Sequence, residues 1–162
     1  MKLNRRLLIA FAATCLSLTI TAPLKAETNA ADHSHGHDEH AAAGLSLDQG
    51  KKWQTDAPLR QGMLSIKDAA MKAAGAFHHD ALTKPDAEKL AKHVNDQVAY
   101  LVANCKLEPQ ADATLHVLIG EMLQGAEILS KKPLSADGLP KIIKTLQMYP
   151  DYFNHPGWAL EH

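Results

Sequence analysis

Four histidines, His33, His35, His37 and His40, fall within eight residues, interleaved with Asp32, Asp38 and Glu39. Imidazole nitrogens are good ligands for copper, zinc and nickel, and a pliable peptide can wrap one ion with two to four rings. The neighbouring carboxylates add charge attraction and can orient the rings from behind. A site of this kind is not held in shape before the ion arrives, so it discriminates poorly between metals. It also weakens as its rings take up protons near about pH 6. The same composition would equally serve as a solubilising linker with no metal role.

A second constellation lies further along. Asp112 and His116 are four residues apart in a helical stretch and so share a face. Helix topology brings Cys105 close to them, and His155 can arrive with the C-terminal tail. Thiolate and imidazoles together suit a soft or borderline metal. Each residue also has an ordinary structural use. Asp112 can serve a helix start, Cys105 continues an apolar stripe, and His116 fits as an interior histidine. A third arrangement uses methionine. Counting about 1.5 Å of rise per residue puts Met63, Tyr100, His116 and Met148 at similar heights in a bundle. Met63 or Met148 paired with His116 could then ligate haem or copper, although methionine on an apolar face is normally core filling. His78 and His79 fall at a helix C-terminus, where the dipole favours a cation, and His93 falls on a helix flank.

Signals for catalysis are missing. The chain has no Gly-x-Ser-x-Gly, His-Glu-x-x-His, glycine-rich phosphate loop or Cys-x-x-Cys-His. The paired Glu-x-x-His of di-iron bundles is absent too. The expectation is a protein that is not an enzyme.

The segments that carry these residues differ in character. Lys2, Arg5 and Arg6 open the chain, Leu7 to Ile20 carries no charge, and Thr21 to Ala26 is rich in small residues. That order describes a secretory signal peptide over 1–26, cut after Ala26. The apolar run is short of the ~20 residues a spanning helix needs, so no membrane association is expected after cleavage. Export to the periplasm follows. The first 26 residues hold four of the 17 basic residues and no acid, which leaves 13 bases against 18 acids, a net charge of −5. An acidic remainder argues against nucleic acid as partner. Cys15 departs with the leader, so Cys105 stands alone and no internal disulfide can form. Residues 27–44 contain no large apolar side chain. They cannot repay the entropy of ordering and are expected to form a disordered arm.

From Leu45 to the end, 45–162, the pattern is helical. A turn with Ser46 and Gln49 as a capping box leads in. Asp56 caps a first helix, with Leu59, Met63, Ile66, Ala70, Ala73 and Phe77 on one face. Thr83 caps a second, with Leu90, Val94, Val98, Leu101 and Cys105 inward. A third starts after Glu108-Pro109 and turns Leu115, Leu118, Met122 and Leu129 inward, with Gly120 and Gly125 open to a close neighbour. A fourth is capped by Ser135 or Asp137, buries Leu139, Ile142, Ile143, Leu146 and Tyr149, and stops at Pro150. No segment alternates as a strand does. Short connections favour antiparallel neighbours, so the expected architecture is all-α, an up-down-up-down four-helix bundle. Its C-terminal aromatic tail folds back as a lid and buries Trp53, Tyr152, Phe153 and Trp158 together.

Three stretches carry a resemblance: Trp53-Gln-Thr-Asp-Ala-Pro-Leu59; Asn104-Cys-Lys-Leu107 with Ala111-Asp-Ala-Thr-Leu-His116; and Tyr152-Phe-Asn-His-Pro-Gly-Trp158. They resemble a family of small exported proteobacterial helical proteins whose members often carry a His-rich arm, over most of residues 45–158. The resemblance implies a periplasmic helical bundle with metal-related physiology and brings no catalytic residue. The architecture is also similar to cytochrome c′ and cytochrome b562, but the covalent haem motif is lacking. The leading expectation is a periplasmic copper or zinc buffer or carrier. It would capture metal through His33, His35, His37 and His40, with Cys105, Asp112, His116 and His155 as an internal site. The alternatives are a helical interaction or stress-response module meeting a protein partner at the lid end, and a b-type haem bundle.

Overall fold

The computed structural model describes residues 44–160. The expected leader and the four arm histidines lie outside the described residues. Four helices carry the fold: α1 (Ala57–His78), α2 (Lys84–Asn104), α3 (Pro109–Lys131) and α4 (Gly138–Tyr152). A pair of two-residue strands, β1 (Trp53–Gln54) and β2 (Phe153–Asn154), joins the two ends of the domain.

The helix starts follow local chemistry. Asp56 Oδ1 accepts the Leu59 amide at 2.8 Å, and Pro58 occupies the first turn, where a missing amide costs nothing. The Thr83 hydroxyl accepts the Asp86 amide at the head of α2. Pro109 begins α3 with no side-chain cap. Asp137 stands at the head of α4, but neither it nor Ser135 caps a helix amide; the Ser135 hydroxyl donates to the Asp137 carboxylate instead. At the end of α1, Asp80 adopts φ 52° while the amides of Asp80 and Ala81 bond back to Phe77 and Ala76. This is a Schellman ending with Asp in the place that glycine usually takes.

Three local expectations are corrected. The Ser46–Gln49 stretch is not a helical turn. Asp48 and Lys51 exchange backbone hydrogen bonds of 2.8 Å around Gln49 and Gly50, both at positive φ, which is the geometry of a tight hairpin. Helix α4 does not stop at Pro150 but runs on to Tyr152, and the Phe153 amide bonds to the Tyr149 carbonyl. Proline costs one bond there, and the turn persists because it delivers Tyr149, Tyr152 and Phe153 to the core. Phe77, expected on the buried face of α1, is exposed, with 37 % of its surface open to solvent.

Sequential helices pack side by side, and α4 closes the ring against α1. Their antiparallel sense shows in the pairs that meet. Tyr100 bonds to Gln61 and His93 to Ser65 across α1 and α2. Across α3 and α4, a Cβ added to Gly125 would come within 2.9 Å of the Gly138 carbonyl, and one on Gly138 within 3.0 Å of the Gly125 carbonyl. The two glycines let the backbones touch. Gly120 faces open space and plays no such part. The core is built from Leu59, Met63, Ile66, Leu101, Leu115, Leu118, Met122, Leu129, Leu139, Ile142, Tyr149 and Phe153. No described helix is long and apolar enough to cross a membrane.

Candidate functional site

The polar and aromatic residues gather at the end of the bundle where α1 begins and α4 finishes. β1 pairs with β2 in parallel, Trp53 opposite Phe153 and Gln54 opposite Asn154. Thr55 Oγ1 extends the junction by donating to the Asn154 carbonyl at 2.9 Å. The Trp53 indole donates to the Ser46 carbonyl at 2.7 Å, and Ser46 in turn contacts Thr114 of α3. Leu45 is buried beside them. The first described residues are therefore pinned to the domain.

Asp56 sits at the centre of this end. Besides capping α1 through Oδ1, it accepts the Lys106 amide at Oδ2, 2.7 Å away. One carboxylate thus ties the head of α1 to the α2–α3 connection. Cys105 lies alongside. Burial first, then the negative charge of Asp56 and of Asp112, pushes its thiol up to about 12. The thiol stays protonated at neutral pH, which makes it a weak nucleophile and a reluctant metal ligand.

Beyond β2 the chain turns back as a strap, as the expected lid requires. The Trp158 ring lies 4.7 Å from that of Tyr149 and 5.0 Å from that of His155, and Tyr149 stacks on Phe153 at 5.2 Å. His155 is buried, and its Nδ1 shares a 3.0 Å hydrogen bond with the Tyr149 hydroxyl. Two bases on α1 complete the arrangement. Arg60 Nη1 donates to the backbone carbonyl of Thr55. Lys67 Nζ donates to the Ala159 carbonyl at 2.9 Å and lies 5.4 Å above the Trp158 ring. Spaced by seven, Arg60 and Lys67 share a helix face. The sequence carried that signal, but charges on a helix read first as a solvated face.

The expected internal set does not converge. His116 is exposed and holds its own helix, Nδ1 lying 2.9 Å from the Asp112 carbonyl and 3.4 Å from Asp112 Oδ2. His155 is engaged by Tyr149, and Cys105 faces Asp56. Among the described residues no group of three His, Cys, Asp or Glu side chains is placed to hold one ion. The alternative Met63–His116 pairing does not form either, and Met63 fills the core as methionine on an apolar face normally does. Met63 is fully buried and His116 points to solvent, because the face of α3 that packs inward is the one carrying Leu115, Leu118 and Met122. Met148 is only partly buried and packs against the core. His93, expected on a flank of α2, reaches across to α1, its Nε2 lying 3.0 Å from the Ser65 hydroxyl.

His155 makes the strap pH-sensitive. Burial first, then the charges of Arg60 and Lys67, holds its pKa below the usual 6.5. The unfolded chain therefore takes a proton that the folded chain resists, so stability is complete above about pH 6.5 and falls as the pH drops through that value. Thermal melts at about pH 7.5 and about pH 5 are expected to show a lower midpoint in acid, and His155→Gln to shrink the difference. A His155→Gln variant with the full acid loss would contradict this assignment.

No family model, curated protein or solved structure matches this chain.

Proposed function

We propose that the chain is exported and serves in the periplasm as a copper- or zinc-binding protein, a buffer or carrier that captures the ion through His33, His35, His37 and His40. The observation that carries this reading is the density of ligands: four imidazoles in the eight residues 33–40, with Asp38 and Glu39 among them and Asp32 just before. The charged start, apolar run and small-residue exit of residues 1–26 support export. In the domain, the strongest donors are already committed. The Cys105 thiol is held protonated, His155 is bonded to Tyr149, and His116 is bonded to its own helix. The division of labour is then an arm that takes the metal and a packed domain that carries the arm.

Calorimetric titration of copper(II) and zinc into residues 27–162 at about pH 7.5 and about pH 5 tests this. Imidazole must lose its proton to ligate, so saturable binding is expected at the higher pH and at least a tenfold loss of affinity at the lower. Absence of saturable binding of both metals at about pH 7.5 would overturn the reading.

A further inference from the structure

A cavity of about 450 Å³ opens between the second half of α1 and the first half of α2, at the far end of the bundle from β1 and β2. That size is within the range of small-molecule sites. Its floor is apolar: Ala69 and Ala73 of α1 face Leu90 of α2, with Leu82 at one side. The alanines are the reason for the space, because a methyl on α1 leaves unfilled what a leucine there would occupy.

The rim is charged, and its charges do not all cancel. Lys72, Lys89 and Lys92 stand against Asp86 and Asp96. Both carboxylates already have partners. Asp96 is paired with Lys92 at 2.6 Å, and Asp86 accepts from the Thr83 hydroxyl. Lys72 and Lys89, one from each helix, have no hydrogen bond or ion pair among the described residues. The His93 ring completes the wall. Three ammonium groups against two carboxylates leave one uncompensated positive charge over an apolar floor.

We propose that this groove binds a small amphiphilic anion, an alkyl chain bearing one terminal carboxylate. The chain would lie along Ala69, Ala73 and Leu90, and the carboxylate would lie between Lys72 and Lys89. A bare inorganic anion would leave the floor wet. An alkyl cation would bring its charge against the two lysines. The site shares no residue with the arm and does not depend on metal.

Sodium decanoate is the probe, titrated into ¹⁵N-labelled residues 27–162, a form that retains every described residue. Expected are saturable amide shifts confined to α1 from Ala69 to Ala76 and α2 from Lys89 to His93. Acetate, which has the head without the tail, and decyltrimethylammonium, which has the tail with the opposite charge, are expected to produce no saturable shifts there. Lys72→Gln with Lys89→Gln is expected to weaken decanoate about three- to tenfold, since both lysines are exposed and screened. Ala73→Leu is expected to abolish binding by filling the floor, and its amide dispersion shows whether it still folds. The proposal is overturned if decanoate gives no saturable shifts in this region, if decyltrimethylammonium binds there as well as decanoate, or if the double lysine variant binds decanoate unchanged.

Discussion

Replacing Tyr149 with alanine is expected to cost about 3–5 kcal/mol of folding stability, the range for removing a large aromatic from a packed core. The residue has no solvent exposure. Its ring touches three others, Phe153, His155 and Trp158, and its hydroxyl bonds to His155. The substitution therefore opens a cavity and leaves the His155 nitrogen without its partner. A domain of this size has about 5–15 kcal/mol in total, so roughly a fifth or more of the stability rests on this position. Chemical denaturation should show a much lower midpoint with the slope retained. Tyr149→Phe separates the two contributions. It keeps the stacking and removes only the hydroxyl, for an expected loss of about 1–2 kcal/mol. If alanine and phenylalanine cost the same, the ring contacts do not hold this end together.

The helices were legible in the sequence because each obeys a local rule. Asp56 and Thr83 act as caps where an Asx or Thr precedes an amphipathic run, and Pro58, Pro85 and Pro109 mark first turns. The aromatic tail was legible too, since Tyr152, Phe153 and Trp158 had no reason to stay in water. What escaped was set by tertiary contact. Two-residue strands have no period to read, so the pairing of Trp53 with Phe153 leaves no trace in either segment alone. The second hydrogen bond of Asp56, to the Lys106 amide, spans fifty positions and follows only once α1 and the α2–α3 connection are side by side. The gathering of Cys105, Asp112, His116 and His155 was inferred from position along the axis. Axial height does not fix which way a helix is turned, and α3 is turned so that His116 looks outward. The groove between α1 and α2 was not visible either, since alanines read as good helix formers before they read as missing volume.

Changing His33, His35, His37 and His40 together to glutamine is expected to lower copper(II) affinity at least a hundredfold near neutral pH. Glutamine keeps the polarity and length of the arm but removes its nitrogen ligands. The remaining carboxylates Asp32, Asp38 and Glu39 are hard oxygen donors and hold copper and zinc far less well. The folded domain should be untouched, because residues 33–40 precede its first pinned contacts at Leu45 and Ser46. Its melting midpoint without metal should match that of the parent. Retained affinity would move the ligands into the domain. Since Cys105 is held protonated by burial and by Asp56, a site there would need the thiol to give up its proton on binding, and a Cys105→Ser variant would expose it.

The most direct measurement is the metal content of the untagged protein isolated from the compartment to which it is delivered. Copper or zinc near one ion per chain is expected in the parent, and little in the four-histidine variant. Parent protein recovered without either metal, and indifferent to both when they are added, would contradict that expectation.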